Sequence, residues 1–475
     1  MNNTYFSLSN NINKSKVFIL NLRELEKRLD PFYYIPELLE LERKVLAKNP
    51  KKLRDYVKSI SSGATPKTTE SDKYYSDSEN GIPFLRVQNI TEWGLDLYDV
   101  KFINKETHNI ALRRSQVFEN DLLVTITGRI ASSAVAPKDF EGNINQHSVV
   151  IKTETKEISE ILACYLNSSI GQQLALRLTT GGTRPALDYS ALLSIPVIYD
   201  KRILVITQKV VEQKKQNEAE AEKLLASIDD YLLNELGITL PTPPENTLKN
   251  RMFFSSIKDI SGKRFDPFYH QKYFTLLINN LYSGKYEVKK LENSLIISVK
   301  LEDISKYKFI NYIDLSSIEK KFGIIYNENI KTIEFPEFPS RARQYIENGD
   351  LLISGLSGSL KSIAIIDNKM DNLIASTGFF VIKKNIDKYN NRYIFALLRT
   401  SLYQALLGKL ASGAIMASIN YKDLCKLPIP FPPLNKQKEI ADHITNIRRQ
   451  AQLLKDKTKT VLEEASKEIE AILLK

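Results

Sequence analysis

Arginine, glutamine, asparagine and histidine recur beside turn-forming glycines in this chain, and such side chains act best by hydrogen bonding rather than by making bonds. In the first half Lys67, Arg86, Gln88, Asn89, Arg129, Gln146, His147 and Arg184 stand out, with Gly128 and Gly181-Gly182 among them. In the second half the comparable set is Arg341, Arg343, Ser357, Ser359, Lys361 and Thr377, around Gly355 and Gly358. A guanidinium fork matches the acceptor pair on the edge of guanine, and an Asn or Gln amide matches adenine. Glycine removes the Cβ that would hold a backbone N–H away from a phosphate. These residues are the candidates for contact with DNA. For any one Lys or Arg the competing role is a solvated surface charge or a phosphate contact.

Residues for catalysis do not assemble in the same way. Methyl transfer to adenine needs an Asn/Asp-Pro-Pro-Tyr/Phe turn, and Pro243-Pro244 and Pro432-Pro433 are preceded by neither Asn nor Asp. There is no Gly-x-x-x-x-Gly-Lys-Ser/Thr loop to cradle nucleotide phosphates. His108, His147, His270 and His443 are scattered, and Cys164 and Cys425 lack the spacing of metal ligands. No catalytic residue, no metal and no cofactor is therefore expected on this chain.

The chain carries 67 Lys and Arg against 56 Asp and Glu, a net charge of +11. That balance favours a polyanionic partner through counterion release. Hydrophobic residues at 43% and charged residues at 26% describe a folded chain. Its 475 residues are too many for one ordinary domain. Two cysteines make no disulfide framework and point to a reducing cytoplasm. The opening Met1-Asn2-Asn3-Thr4-Tyr5 carries no secretory signal, and no apolar run approaches the roughly 20 residues that cross a bilayer. The expectation is a soluble cytoplasmic protein with no membrane contact.

The elements that must position the candidate residues are written twice. Lys27-Arg28-Leu29-Asp30-Pro31-Phe32-Tyr33 returns as Lys263-Arg264-Phe265-Asp266-Pro267-Phe268-Tyr269, 236 positions later. Asp121-Leu122-Leu123-Val124-Thr125-Ile126-Thr127-Gly128 resembles Asp350-Leu351-Leu352-Ile353-Ser354-Gly355-Leu356-Ser357-Gly358. Gly181-Gly182-Thr183-Arg184-Pro185-Ala186-Leu187-Asp188-Tyr189, ending in Ile195-Pro196, matches Gly413-Ala414-Ile415-Met416-Ala417-Ser418-Ile419-Asn420-Tyr421, ending in Leu427-Pro428, 232 positions on. Three landmarks in one order at nearly one offset establish an internal repeat. In Asp30-Pro31-Phe32 and its copy, Asp and Pro are expected to set a turn while Phe and Tyr pack. Trp93 is expected in the core.

Each half closes on a helical pattern. From about 203 to 236 there is neither Gly nor Pro, and Val210, Ala221, Leu224, Ile228 and Leu232 recur at helical spacing. Gly237, Pro241, Pro243 and Pro244 end that helix and form a linker. After Pro432-Pro433 a second helix runs from about 435 to the terminus. Its apolar positions Ile440, Ile444, Ile447, Ala451, Leu454, Val461 and Ala465 alternate three and four apart, with Thr458 as the one interruption, and Ile472 follows a heptad later. That is a coiled-coil seam, in which Leu224 and Ile228 of the first helix are also expected to pack. Segments such as 82–87, 148–151 and 379–382 suggest strands.

The predicted fold is α+β, with two tandem homologous globular domains, each followed by a long helix, and the helices pairing as an antiparallel coiled coil with pseudo-two-fold symmetry. The domains are expected at 1–200 and 251–433, the helices at 201–237 and 434–475, and the linker at 238–250. A helix of about 34 residues spans roughly 50 Å, the length of roughly 15 base pairs. Two heads so separated would contact one duplex about a turn or more apart. Arg184-Pro185 stands where Ile415-Met416 stands in the copy, so the heads need not read the same bases.

This arrangement resembles the specificity subunit of type I restriction–modification enzymes. The resemblance rests on the duplicated Arg-Leu/Phe-Asp-Pro-Phe-Tyr motif, Ser62-Gly63-Ala64-Thr65-Pro66, Gly81-Ile82-Pro83-Phe84-Leu85-Arg86-Val87, and the repeated Asp-Leu-Leu and Gly-rich segments. It rests most on Leu427-Pro428-Ile429-Pro430-Phe431-Pro432-Pro433-Leu434-Asn435-Lys436-Gln437-Lys438-Glu439-Ile440. It implies two target recognition domains reading a bipartite, asymmetric sequence on double-stranded DNA. It also implies a helical spacer that docks two methyltransferase subunits, with separate motor–nuclease subunits in the same complex. S-adenosylmethionine, ATP and Mg would be bound by those partners. The first half departs from the pattern: Pro196-Val197-Ile198-Tyr199-Asp200 replaces the proline run, and Ile203-Leu204-Val205-Ile206 opens its helix. The two docking sites need not be equivalent. The rival readings are a stand-alone or fused nuclease or methyltransferase with similar recognition domains, and a coiled-coil scaffold whose basicity is compositional.

Overall fold

The structure is a computed structural model that describes residues 12–13, 16–26, 28–97, 99–182, 184–245, 247, 250, 252–260, 264–298, 301–412 and 417–475. Met1–Tyr5, Lys27, Thr183, Lys263 and residues 413–416, which the sequence motifs include, lie outside the described residues. The chain divides into two compact units, 1–217 with 456–475, and 218–455. Each long helix is shared between them.

In the first unit two four-stranded sheets form the globular part. One has the order Lys101–Ile103, Ile82–Leu85, Glu141–Ile144, Gln116–Phe118, with only the central pair parallel. The other has the order Ser59–Ser62, Ser148–Lys152, Leu122–Thr125, Ser133–Val135 and is antiparallel throughout. The strand Leu122–Thr125 is buried along its whole length. Leu123 faces a core with Leu85, Val117 and Ile144, while Leu122 and Val124 face a core with the helix Lys156–Asn167. Burial on both faces is why Leu-Leu-Val reads as a continuous apolar run and not as an alternation.

The second unit repeats this plan strand for strand. One sheet runs Lys331–Glu334, Phe309–Ile313, Leu373–Ser376, Ala342–Tyr345, again with a parallel central pair. The other runs Ile297–Ser298, Phe379–Ile382, Leu351–Ser354, Ile363–Ile365. Leu352 faces one core and Leu351 and Ile353 the other, as their counterparts do. The fold is α+β with two homologous tandem domains.

The long helices are Lys201–Leu236 and Leu434–Leu474. Within the first unit Ile203 packs with Ile469 and Leu473, and Asn217 Nδ2 donates to Thr458 Oγ1 at 2.9 Å. Within the second, Ala221 clusters with Ala451, the Tyr231 ring lies 4.1 Å from that of His443, and Lys436 Nζ lies 2.7 Å from Glu235. Numbers rise on one helix as they fall on the other, so each unit holds an antiparallel pair. Ile228, Ile440, Ile444 and Ala451 are buried, and Leu224, Ile447, Leu454 and Val461 are half-buried at the seam. Toward the terminus the buried positions are Ala465, Ile469 and Leu473, and Ile472 is only partly covered. Thr458 does not interrupt the seam: it is buried and carries one end of a polar contact.

Candidate nucleic-acid interface

The opening motif of each half is a clamp. Asp30 caps a short 3-10 turn by accepting from Tyr33 N, and Asp266 accepts from Tyr269 N in the copy. Arg28 Nε donates to Asp30, while its terminal nitrogens donate to Leu178 O and Thr179 O at 3.1 and 2.5 Å. Arg264 does the same to Asp266, Leu410 O and Ala411 O. These carbonyls sit at the ends of the helices Ser169–Arg177 and Ser401–Leu410, where backbone acceptors lack intrahelical partners and favour a cation. Arg28 thereby anchors the start of the Gly-rich loop of the first half, and Arg264 holds the equivalent chain exit at Leu410 and Ala411. Phe268 packs edge-on against Phe274 with ring centres 5.1 Å apart, but neither Phe32 nor Phe268 is buried. They are about half exposed, at 47% and 49%, and Tyr33 is the buried ring of the first copy.

In the first unit the loop after Thr179 folds back on itself through a Thr180–Ala186 bridge and pairs with Thr127 through Ala186. Leu187 N donates to Ile126 O, and Ile126 N donates to His147 O. His147 sits in the connection between Glu141–Ile144 and Ser148–Lys152. Thr127 Oγ1 lies 2.6 Å from His147 Nδ1, Gln146 Nε2 lies 3.3 Å from His147 Nε2, and Thr65 Oγ1 donates to Gln146. Asn145 N donates to Leu85 O, which ties in the turn that carries Arg86 and Gln88. A Cβ on Gly63 would lie 1.8 Å from Ile144 O, so only glycine lets the Ser59–Ser62 strand pass so close to this connection. Residues 63–67, 86–88, 126–129, 145–147, 179–182 and 184–186 are thus tied together along one edge of the two sheets.

The second unit builds the same edge from different side chains. Ile419 N donates to Gly355 O, Ser357 N to Ala417 O, and Gly355 N to Gly378 O. Thr377 N donates to Arg341 O, which brings the strand Ala342–Tyr345 to the same place. The turn Asp314–Ser317 takes the place of Arg86–Asn89, with Ser317 Oγ accepting from Asp314 N as Asn89 Oδ1 accepts from Arg86 N. A carboxylate paired with Lys331 at 2.8 Å thus replaces an arginine, and Gly378 replaces His147.

The candidates fall on this edge with different freedom. Lys67, Gln88, Arg129, Gln146, His147 and Arg184 are exposed, as are Arg341, Arg343, Ser357, Lys361 and Thr377, and Ser359 is partly so. Arg86 is held by Asp99, donating from Nη2 to its backbone oxygen at 2.5 Å, and Gln88 Nε2 donates to the Asp99 carboxylate at 3.2 Å. Asn89 is corrected: it is 2% exposed, and its amide closes the turn against Arg86 N and Asp96 O. Arg113 and Arg114 were missed. They are exposed, and Arg114 O accepts from Ser61 Oγ on the strand that leads into the edge. Their position before Gln116–Phe118 matches that of Arg341 before Ala342–Tyr345, a signal the repeat itself offers. Among the described residues there is no group of three or more His, Cys, Asp or Glu placed to hold a metal, and no helix long and apolar enough to cross a membrane.

Residues 248–464 match the type I restriction modification DNA specificity domain. The type I restriction enzyme HindI specificity subunit of Haemophilus influenzae is 26% identical over 147 residues, 30% of this chain and 31% of that protein. In that alignment the chain spans about a third of the relative. The MjaVIII specificity subunit of Methanocaldococcus jannaschii is 23% identical over 414 residues, 83% of this chain and 86% of the relative. A crystal structure of a type I restriction–modification S subunit from M. genitalium covers 90% of this chain and 94% of its own, at 12% identity and a TM-score of 0.35. The second half of the chain thus matches the DNA specificity domain of type I restriction–modification systems, and its sheets, clamp and trailing helix are repeated in the first half.

Proposed function

We propose that this chain supplies the DNA sequence preference of a type I restriction–modification complex and performs no bond chemistry itself. Each loop edge reads one part of a bipartite target. The observation that carries this is the edge itself: two copies of one topology gather exposed hydrogen-bonding side chains at the same strand ends, from loops far apart in sequence. Asp314 and Ser316 stand in the second copy where Arg86 and Gln88 stand in the first, so the two edges select different bases and the target is asymmetric. The paired helices dock two methyltransferase subunits, which bind S-adenosylmethionine, and motor–nuclease subunits bring ATP and Mg. The complex works in the cytoplasm, where the chromosome is.

Co-expression with a type I methyltransferase subunit, followed by mapping of methylated adenines, tests the reading. The expected result is one bipartite, asymmetric sequence. Methylation without sequence preference, or failure of the chain to bind any methyltransferase, refutes it. The isolated chain is expected to bind duplex DNA weakly, with steep salt dependence, and to bind no methyl donor.

A further inference from the structure

Both globular domains reach the long helices through the same hairpin, and the two hairpins are seated differently. In the second unit the strands Ile318–Glu319 and Ile324–Ile325 form the hairpin, and Phe322 is at its tip. Phe322 is 4% exposed and clusters with Ala221 of the first long helix and Ala451 of the last. Small residues on both helices open the space that the ring fills. A Cβ on the neighbouring Gly323 would lie 2.6 Å from Ile363 O and 2.8 Å from Arg399 Nη1, so the tip has no slack. Arg399 Nη2 donates to Lys320 O and Lys321 O at 2.9 and 2.8 Å. Lys321 Nζ is 2.6 Å from Glu222, and Lys455 Nζ sits 4.8 Å from the centre of the Phe322 ring and 3.7 Å from Glu319.

In the first unit the hairpin Ile90–Thr91 with Gly94–Leu95 puts Trp93 at the tip, 229 positions before Phe322. Trp93 is partly buried and packs against the core of the first unit, and beside it Glu92 O accepts a single bond from Asn167 Nδ2 at 2.7 Å where Arg399 makes several in the copy. Trp93 borders a pocket of about 150 Å³ whose other walls include Cys164, Leu204, Thr207 and Val211. A Cβ on Gly94 would meet nothing within 4 Å. The apolar Leu204, which departs from the pattern of the other half, lines this pocket instead of closing it.

We propose that Phe322 is a positioning residue that bolts the second recognition domain to the helices, whereas the pocket beneath Trp93 gives the first domain a compliant seat. A close-packed contact transmits displacement, and a void absorbs it. If the chain reads DNA as proposed above, the second half of the target is held at a set distance from the spacer and the first half has play.

Amide hydrogen exchange on the intact chain tests the seating without DNA. Residues 318–325 should be more protected than 90–95. Phe322→Ala should lower protection at 318–325 and along helix residues 218–225 by about tenfold, and Phe322→Leu should restore most of it. Val211→Phe should raise protection at 90–95 by filling the pocket. Equal protection of the two hairpins in the parent chain, or no change on Phe322→Ala, overturns the proposal. In the complex with its methyltransferase subunits, Phe322→Ala should raise methylation of targets lengthened by one base pair between the halves by about tenfold relative to the parent target. The bases recognised should not change. An unchanged ratio overturns the positioning role. A parent complex that methylates no defined sequence would instead refute the recognition reading, and the exchange experiment would still decide the seating.

Discussion

Arg28 and Arg264 perform one task at positions 236 apart: a planar fork satisfies an Asp and the carbonyls that follow a helix. Charge-assisted bonds to otherwise orphaned acceptors are worth more than neutral ones. Arg264→Ala should cost about 2 kcal/mol of stability, read as a lower urea midpoint. Arg264→Lys should recover only part, because a point charge cannot reproduce the fork. Asp121 and Asp350 are a second such pair, closing their turns on Phe118 N and Glu347 N and pairing with Lys152 and Lys383. On the recognition edge Arg184 is exposed at the tip of its loop. We expect Arg184→Ala to relax one position of the methylated sequence at a cost of about 1–3 kcal/mol. A uniform loss across sequences with a shallower salt dependence would reassign Arg184 to phosphate.

At the level of elements the helix pair carries a polar mark in an apolar seam. Asn217 and Thr458 are 4% and 8% exposed and bonded to each other, with Gln213 Nε2 donating to Asn217 Oδ1 at 2.9 Å. A buried polar pair costs stability relative to well-packed apolar residues and specifies register, because any slip leaves both groups unpaired. Thr458→Val alone should therefore destabilise by about 1–3 kcal/mol. Adding Asn217→Leu should return most of that loss. A double-mutant cycle in denaturant measures it, and additivity of the two changes would show that the pair is not coupled.

For the whole molecule, stability should form a plateau bounded by ionisation on both sides. The Arg202 guanidinium holds Asp200 below the ordinary carboxylate range, Lys436 does the same to Glu235, and the Ala191 N–H to Asp188. Carboxyls lowered in the fold stabilise it at neutral pH, and that contribution disappears as pH falls below about 4. Burial, aided by Glu26, pushes the Tyr33 phenol up to about 12, and burial, aided by Glu157, does the same to Tyr199. A phenol raised in the fold contributes stability below its unfolded value near 10 and loses it as pH climbs toward 12. Thermal midpoints should thus be flat from about pH 5 to 9 and fall on either side. A midpoint that rises above pH 10 would contradict the assignment of these tyrosines.

The order of residues along the chain by itself determined the duplication, the two long helices, the α+β class and the absence of familiar catalytic motifs, because each is a pattern of type against position. It also named polar side chains, Gln146, His147 and Arg184 among them, that stand exposed on the loop edge. Only the tertiary structure decided which of them meet, since the edge gathers residues 63–67, 86–88, 126–129, 145–147, 179–182 and 184–186 from the ends of different strands. It also decided which were already occupied. Asn89 is a good adenine reader by type, yet its amide is used within its own turn, and Thr458 looks like a flaw in a seam until Asn217 is found opposite. Trp93, expected in the core, does pack against it but also borders a pocket, whereas its counterpart Phe322 is buried between small residues of both helices. A side chain's chemistry is local, but whether its hydrogen bonds and surface are free depends on partners that the sheets and helices bring from far along the chain.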